Sequence, residues 1–425
     1  MRWFDGLAVL CIAAVATFVA AQPFLVAMER PAFDGLLALR HQIYAQQVSR
    51  QSAQAVVIGL DRETALRPPF DRLPEALWTP QLAKVMTAML DSGVAVIAQQ
   101  QAFTTSADAA VPGYDADYLA VLGVAAESGQ VVLGRRAPGP DRLSPFPGHL
   151  VPLGGYRHVR RAELQPDPDG VVRRVALYEE RLASNGAAGL EPSLVLELAA
   201  RVLGERPAMV AGQDVVLGGY AVPGSPSNAM ILNPQGGDGA VPVYSLADLY
   251  ACAEEGDQEF FRQHFEGKVV VIGNLEPASA RHLTSARFLD VTDRDRRASR
   301  CRLSPMRSLD VLPVSSGTPD AVITALAVNN LLQSRAVNNL VAPFGIVIAG
   351  LLALAAAIAG LRIRFLLTMP ACLAFFAGWI YLAAMVLARE AWLMPLAQPL
   401  AAVLVSFLLA WGYCFAHRRR RQGTA

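Results

Sequence analysis

One compact group of residues able to meet a charged ligand is Pro166-Asp167-Pro168-Asp169-Gly170-Val171-Val172-Arg173-Arg174, with two carboxylates and two guanidiniums in nine positions. Paired acids beside a glycine suggest a calcium loop, since hard cations collect several carboxylate oxygens at once. If Gly170 were the sixth position of an EF-hand loop, the first would be Gln165 and the twelfth Ala176. The leading acid and the bidentate glutamate are both missing, so that loop fails. A Pro/Asp/Gly turn between strands, with Arg173 and Arg174 on either face of the second one, accounts for the same residues. Ligand contact through Asp167, Asp169, Arg173 and Arg174 is the competing reading. Asp61 ends the apolar run Ala55 to Leu60, where α/β sheets place binding groups, and it could equally cap the following turn.

Other chemistries find no residues to carry them. His41, His149, His158, His264 and His282 are scattered, without an i,i+4 pair or HExxH, so no metal is expected. No GxSxG elbow supplies a nucleophile, and Asn233 to Gly239 lacks the Lys-Ser/Thr of a phosphate loop and reads as a hairpin connection. Neither an enzyme nor a cofactor is expected. Cys252 and Cys301 lie outside the long apolar segments and can form a disulfide in an oxidising compartment if their geometry allows it. Cys11, Cys372 and Cys414 fall within those segments and behave as small hydrophobes.

These residues sit in a chain of 425 residues that is 53% hydrophobic, 17% charged and of net charge +1. The balance excludes a nucleic-acid binder and calls for a lipid-embedded part joined to a water-soluble one. Four stretches reach the roughly 20 apolar residues that cross a bilayer: Leu7 to Met28, Leu340 to Leu361, Phe365 to Ala388 and Ala391 to Ala416. Arg2, Arg362, Arg364 and the Arg418-Arg419-Arg420-Arg421 run all fall on one side by alternation, which the positive-inside rule makes cytoplasmic. The expected divisions are a signal anchor at 1–28, an outside domain at 29–339, a three-helix membrane bundle at 340–416 and a basic tail at 417–425. The first segment reads as uncleaved, although Val19-Ala20-Ala21 also resembles a cleavage site. No charge sits mid-helix in the bundle, so it reads as an anchor and signal conduit, not a transport path.

Between the first and second membrane segments, β-branched runs recur at Ala55 to Leu60, Val94 to Ala98, Val131 to Leu133 and Val269 to Gly273. Helical stripes occupy Asp34 to Ser52, Gln81 to Ser92, Pro192 to Leu203 and Asp320 to Gln333. This alternation predicts an α/β class, with a mixed or mostly parallel sheet flanked by helices. Four transmembrane α-helices, one N-terminal and three C-terminal, complete it. Ala137 to Gly155 and Ala278 to Thr318 read as loops, the second a solvated arginine-rich insertion or an anion-binding one.

The order of these elements resembles the CHASE2 family of bacterial extracytoplasmic sensor domains. The stretches that carry the resemblance are Ala55 to Asp61, Pro166 to Arg174, Pro192-Ser193-Leu194 and Phe265-Glu266-Gly267-Lys268-Val269-Val270-Val271-Ile272-Gly273. Arg62 stands where the family usually has a second acid, and Gln99-Gln100-Gln101 where a strand commonly ends in aspartate. The chain stops nine residues past Ala416, where such proteins typically continue into a cytoplasmic output domain, so none is expected here. The resemblance implies a multi-pass protein of the bacterial inner membrane with both termini cytoplasmic and residues 29–339 periplasmic. It would detect an envelope or extracellular signal, as an unknown ligand or envelope protein, and relay it to a separate cytoplasmic or membrane effector. A homodimer follows by analogy alone. The alternatives are a non-catalytic structural or assembly module that docks proteins in an envelope complex, and a transporter accessory subunit.

Overall fold

The computed structural model describes residues 3–48, 53–136, 144–181, 189–209, 215–224, 228–234, 241–276, 279–289, 299–304, 317–339, 342–363 and 365–422. Two compact units emerge, Gln46–Ala336, and Met1–Ala45 together with Val337–Ala425.

The first is built on a six-stranded parallel sheet, ordered Val243–Ser245, Ala55–Leu60, Val269–Asn274, Val96–Gln99, Val131–Arg135 and Val159–Arg161. Its long strands are buried along their length, as continuous β-branched runs require. The chain steps across this sheet in one direction through Thr79–Asp91, through Ala116–Glu127, and through the helix pair Leu246–Glu254 and Gln258–Phe265. Right-handed crossovers that all advance the same way must place their helices on the same face. They do: Leu82, Met86, Leu122, Phe261 and Phe265 pack with Ile58, Ile97 and Ile272. The long return from Val159–Arg161 to Val243–Ser245 runs the other way, and Leu194–Leu203 covers the opposite face with Asp320–Leu332. Thr79–Asp91, Leu194–Leu203 and Asp320–Leu332 begin and end within a few residues of the sequence-based bounds. Ser193 caps Leu194–Leu203, which closes on Gly204 at φ +66°.

Asp320–Leu332 is buried nearly all round, yet carries Asn329 and Asn330. Asn329 Oδ1 accepts from the amides of Gln54 (2.9 Å) and Ala55 (2.8 Å), which fixes the start of a central strand. Asn330 exchanges hydrogen bonds with the backbone of Asn233 at 2.8 and 3.1 Å. Gly134 is required by contact, since a Cβ there would lie 2.1 Å from the Gln100 carbonyl oxygen. Smaller pairings flank the main sheet: Arg174–Ala176 with Ala229–Ile231, Tyr178–Arg181 with Gly189–Pro192, and Val171–Val172 with Arg281–Thr284.

Among the described residues the second unit contains three helices long and apolar enough to cross a membrane, Phe344–Arg362, Leu367–Glu390 and Ala397–Ala416. The last begins at Ala397 and not at Ala391, because Ala391 turns at φ +55° and Trp392–Leu393 pairs as a strand with Asn338–Asn339. The N-terminal segment differs from the single spanning helix expected over Leu7 to Met28. Helix Trp3–Ala20 stops, Pro23–Val48 follows, and the two are bent by 64°. Pro23 disfavours helical backbone at Gln22 and lacks an N–H, which explains the break. A fourth crossing therefore exists only if this bent pair acts as one broken span. The helix expected over Asp34 to Ser52 is the second half of Pro23–Val48. Gly360 approaches closely, with Ala410 Cβ 2.8 Å from where its own Cβ would stand, whereas Gly378 has no neighbour within 4 Å. Arg364, and the side chains of Arg418 to Arg421, lie outside the described residues, as do residues 235–240.

Candidate functional site

Two acid–arginine clusters form in the Gln46–Ala336 unit. The first stands at the carboxyl end of Ala55–Leu60. Asp61 caps the short helix Arg62–Ala65, its Oδ1 accepting from Thr64 N (2.8 Å), Thr64 Oγ1 (2.7 Å) and Ser245 Oγ (3.0 Å). Burial pushes its pKa up, while the Thr64 and Ser245 hydrogen bonds pull the other way. Glu63, two residues on and buried, is gripped by Arg300 through bonds of 2.6 and 3.0 Å and by Arg67 at 2.8 Å. Burial lowers the Arg300 pKa, but the Glu63 hydrogen bond and the charges of Asp248, Glu63 and Asp61 outweigh it, so the net shift is upward.

Arg300 belongs to the stretch read as a solvated insertion. Residues 299–304 are instead tied down. Asp248 accepts the amides of Cys301, Arg302 and Leu303 at 2.9, 3.1 and 2.7 Å. Arg302 reaches Glu255 (2.9 Å) and Asp257 (3.2 Å), and Cys301 is disulfide-bonded to Cys252 with the Cα atoms 5.9 Å apart. Asp257 lies close enough to both sulfurs to complete a metal-ligand set, but sulfurs bonded to each other are not thiolate ligands. Every charge in this cluster has a partner.

The second cluster is the Asp167 to Arg174 turn. Gly170, at φ +79°, donates to Asp167 O (2.8 Å), and Asp167 N donates to Val171 O (2.9 Å). Arg173 is buried at 3% exposure and fills the turn from inside. It donates to Asp167 Oδ2 (3.0 Å) and to both Asp169 oxygens (2.9 and 2.8 Å). That hydrogen-bonded guanidinium holds the Asp169 carboxyl down at about 2. Arg174 points the opposite way and is exposed. It lines a groove of about 640 Å³ together with Arg161, Glu163, Asp167, Glu179 and Leu190. Arg161 pairs there with Glu163 (2.8 Å) and Glu179 (3.0 Å), and burial raises the Glu179 pKa despite Arg161.

The structure thus gathers Asp167, Asp169, Arg173 and Arg174 at one place and puts Asp61 in the other cluster. A separate cavity of about 20 Å³ lies at the strand ends among Gln100, Gly134, Asn274 and Asp320. It has room for about one water. Gln100 Nε2 there donates to Ala162 O (3.1 Å), while the neighbouring Gln99 side chain is held by Tyr118.

The family model of the CHASE2 domain matches residues 8–362. The chain belongs to the CHASE2 family. Neither the curated proteins nor the solved structures gave a match. The CHASE2 match takes in the bent N-terminal helix pair, the whole Gln46–Ala336 unit and the first of the three long apolar helices. Within it, Phe265 to Gly273 supplies the end of a covering helix and a central strand. Sequence reasoning missed Glu63, Asp248 and Arg300 in the first CHASE2 cluster and Arg161 and Glu179 in the second. Arg300 was hidden by its polar surroundings. Asn329 and Asn330 offered a usable signal, since adjacent amides in the apolar helix Asp320–Leu332 must find backbone partners.

Proposed function

We propose that this CHASE2 protein is a non-catalytic sensor of a bacterial inner membrane, which detects an envelope or extracellular signal with the Gln46–Ala336 unit and relays it to a separate effector. The observation that carries the reading is the family match over residues 8–362, which joins sensor domain and membrane helices in one pattern. The unit stands outside and both termini inside, a topology supported by Arg362 at the end of the Phe344–Arg362 helix.

The membrane unit supplies a route for the relay. Two chain links enter Gln46–Ala336, one after Ala45 and one before Val337. Glu29, upstream of the first, accepts the amides of Leu396 (2.9 Å) and Gln398 (3.0 Å). Asn338, next to the second, donates to Ala391 O (2.8 Å), and Asn338–Asn339 pairs with Trp392–Leu393. Both links are therefore tied to the single turn between the last two apolar helices. A ligand that prefers one arrangement of the outer unit shifts its population, and this turn receives the shift from both sides.

The groove with its open Arg174 favours a second reading, in which the same unit docks an envelope protein within an assembly and relays nothing. In-membrane crosslinking of the full-length chain, followed by identification of what co-purifies, separates the two. Recovery of a cyclase, kinase or response protein on the cytoplasmic side is the expected result. Recovery of envelope proteins alone sinks the sensor and leaves the docking module.

A further inference from the structure

Among the described residues the strand Arg174–Ala176 is paired along one edge only. Its antiparallel partner sets Ala176 opposite Ala229, Val175 opposite Met230 and Arg174 opposite Ile231. In the same register Leu232 N donates to Arg173 O (2.8 Å) and Leu177 N to Asn228 O (3.2 Å). Residues 173, 175 and 177 therefore carry the ladder bonds, and Arg174 and Ala176 turn their N–H and C=O groups to the other edge. Among the described residues no backbone bond closes that edge.

The edge residues also line the 640 Å³ groove, a volume within the range of roughly 300–1,000 Å³ typical of ligand sites. Charge around it is mostly spent. Arg161 is held by Glu163 and Glu179, and Asp167 by Arg173. The Arg174 guanidinium forms no ion pair among the described residues. Leu190, 56% exposed, and Pro166 add apolar surface beside it.

We propose that this groove binds an extended acidic peptide segment of another protein, which adds as a strand to the Arg174–Ala176 edge. Alternate peptide residues exchange backbone hydrogen bonds with Arg174 and Ala176, whose two-residue spacing is the repeat of an extended chain. A carboxylate on the peptide meets Arg174, and a basic peptide meets repulsion there. An open edge of this kind is otherwise a liability that proteins blunt or cover. The inference gives a ligand class to the sensory unit proposed above and rests on that reading for its biological sense. Binding itself is measured without any relay, so the two fail separately.

The test uses the full chain in detergent and fluorescent eight-residue peptides of alternating threonine and valine with one central aspartate or one central lysine. Anisotropy titration is expected to show the aspartate peptide binding about tenfold tighter or more, with Arg174→Glu reversing the order. Ala176→Pro removes an edge N–H while sparing the bonds to Ala229–Ile231, and is expected to weaken binding about tenfold or more. Because that variant risks misfolding, the unmodified protein is also titrated with peptides N-methylated on alternate amides. One methylation register is expected to abolish binding and the other to leave it intact. Failure of both peptides to bind, equal binding of the two, or indifference to the methylation register overturns the proposal. So does self-association of the chain through Arg174 that the aspartate peptide cannot compete, which would make a second copy the occupant.

Discussion

The two acid–arginine clusters of the Gln46–Ala336 unit use the same residue types to opposite ends. At the Asp61 cluster, the arginine that matters arrives from far along the chain, and residues 299–304 carry it in with a disulfide and three amides on Asp248. Asp61, Glu63 and Asp248 there are buried and hydrogen-bonded. At the Asp167 to Arg174 turn, one arginine faces in and consumes two acids, while its neighbour faces a groove with no ion pair among the described residues. Closure marks a structural device, and the leftover charge beside the strand edge is where the proposed peptide would add.

Breaking the closed cluster should cost the most. Reducing the Cys252–Cys301 bond, or Cys301→Ser, frees a loop with a sequence separation of 49 and should destabilise the unit by about 4 kcal/mol in a denaturant titration of the full chain. Arg300→Ala strands the buried Glu63 with only Arg67 and should cost about 3 kcal/mol by the same assay. Arg173→Ala opens the turn but leaves acids that water can reach, so about 2 kcal/mol is expected. Arg174→Ala should fall within about 0.5 kcal/mol of the parent, which sharpens the contrast between inward and outward arginines.

A pH series refines the same contrast. The folded-state pKa of Asp169 lies below its unfolded value, so the folded state binds fewer protons. Its contribution is full above roughly pH 4 and fades as pH falls toward about 2. The difference in thermal midpoint between the parent and Asp169→Asn should therefore shrink from neutral pH to about pH 3. A gap that grows on acidification would mean that Arg173 does not hold this carboxylate.

The parallel sheet was legible because β-branched runs alternating with helical stripes admit few other arrangements. The three C-terminal apolar helices were legible by length alone. What escaped depended on long-range pairing or on local backbone. Nothing in the polar run around Arg300 announces Glu63, 237 residues away, as its partner. The break at Gln22 was written in Pro23, but an apolar run of bilayer length overrode it. The Asp167 to Arg174 run showed which residue types would gather, although not that Arg173 would be swallowed and Arg174 left out, since alternation on a strand does not say which face is the core.

The proposed function places the Gln46–Ala336 unit outside and Arg362 on the cytoplasmic side. A membrane-impermeant thiol reagent on spheroplasts tests it, with Cys11, Cys372 and Cys414 replaced by alanine. Val151, 78% exposed, supplies the outer probe as Val151→Cys, and Arg362→Cys the inner one. That topology predicts labelling of Val151→Cys in intact spheroplasts and of Arg362→Cys only after lysis. Labelling of Val151→Cys only after lysis would contradict it.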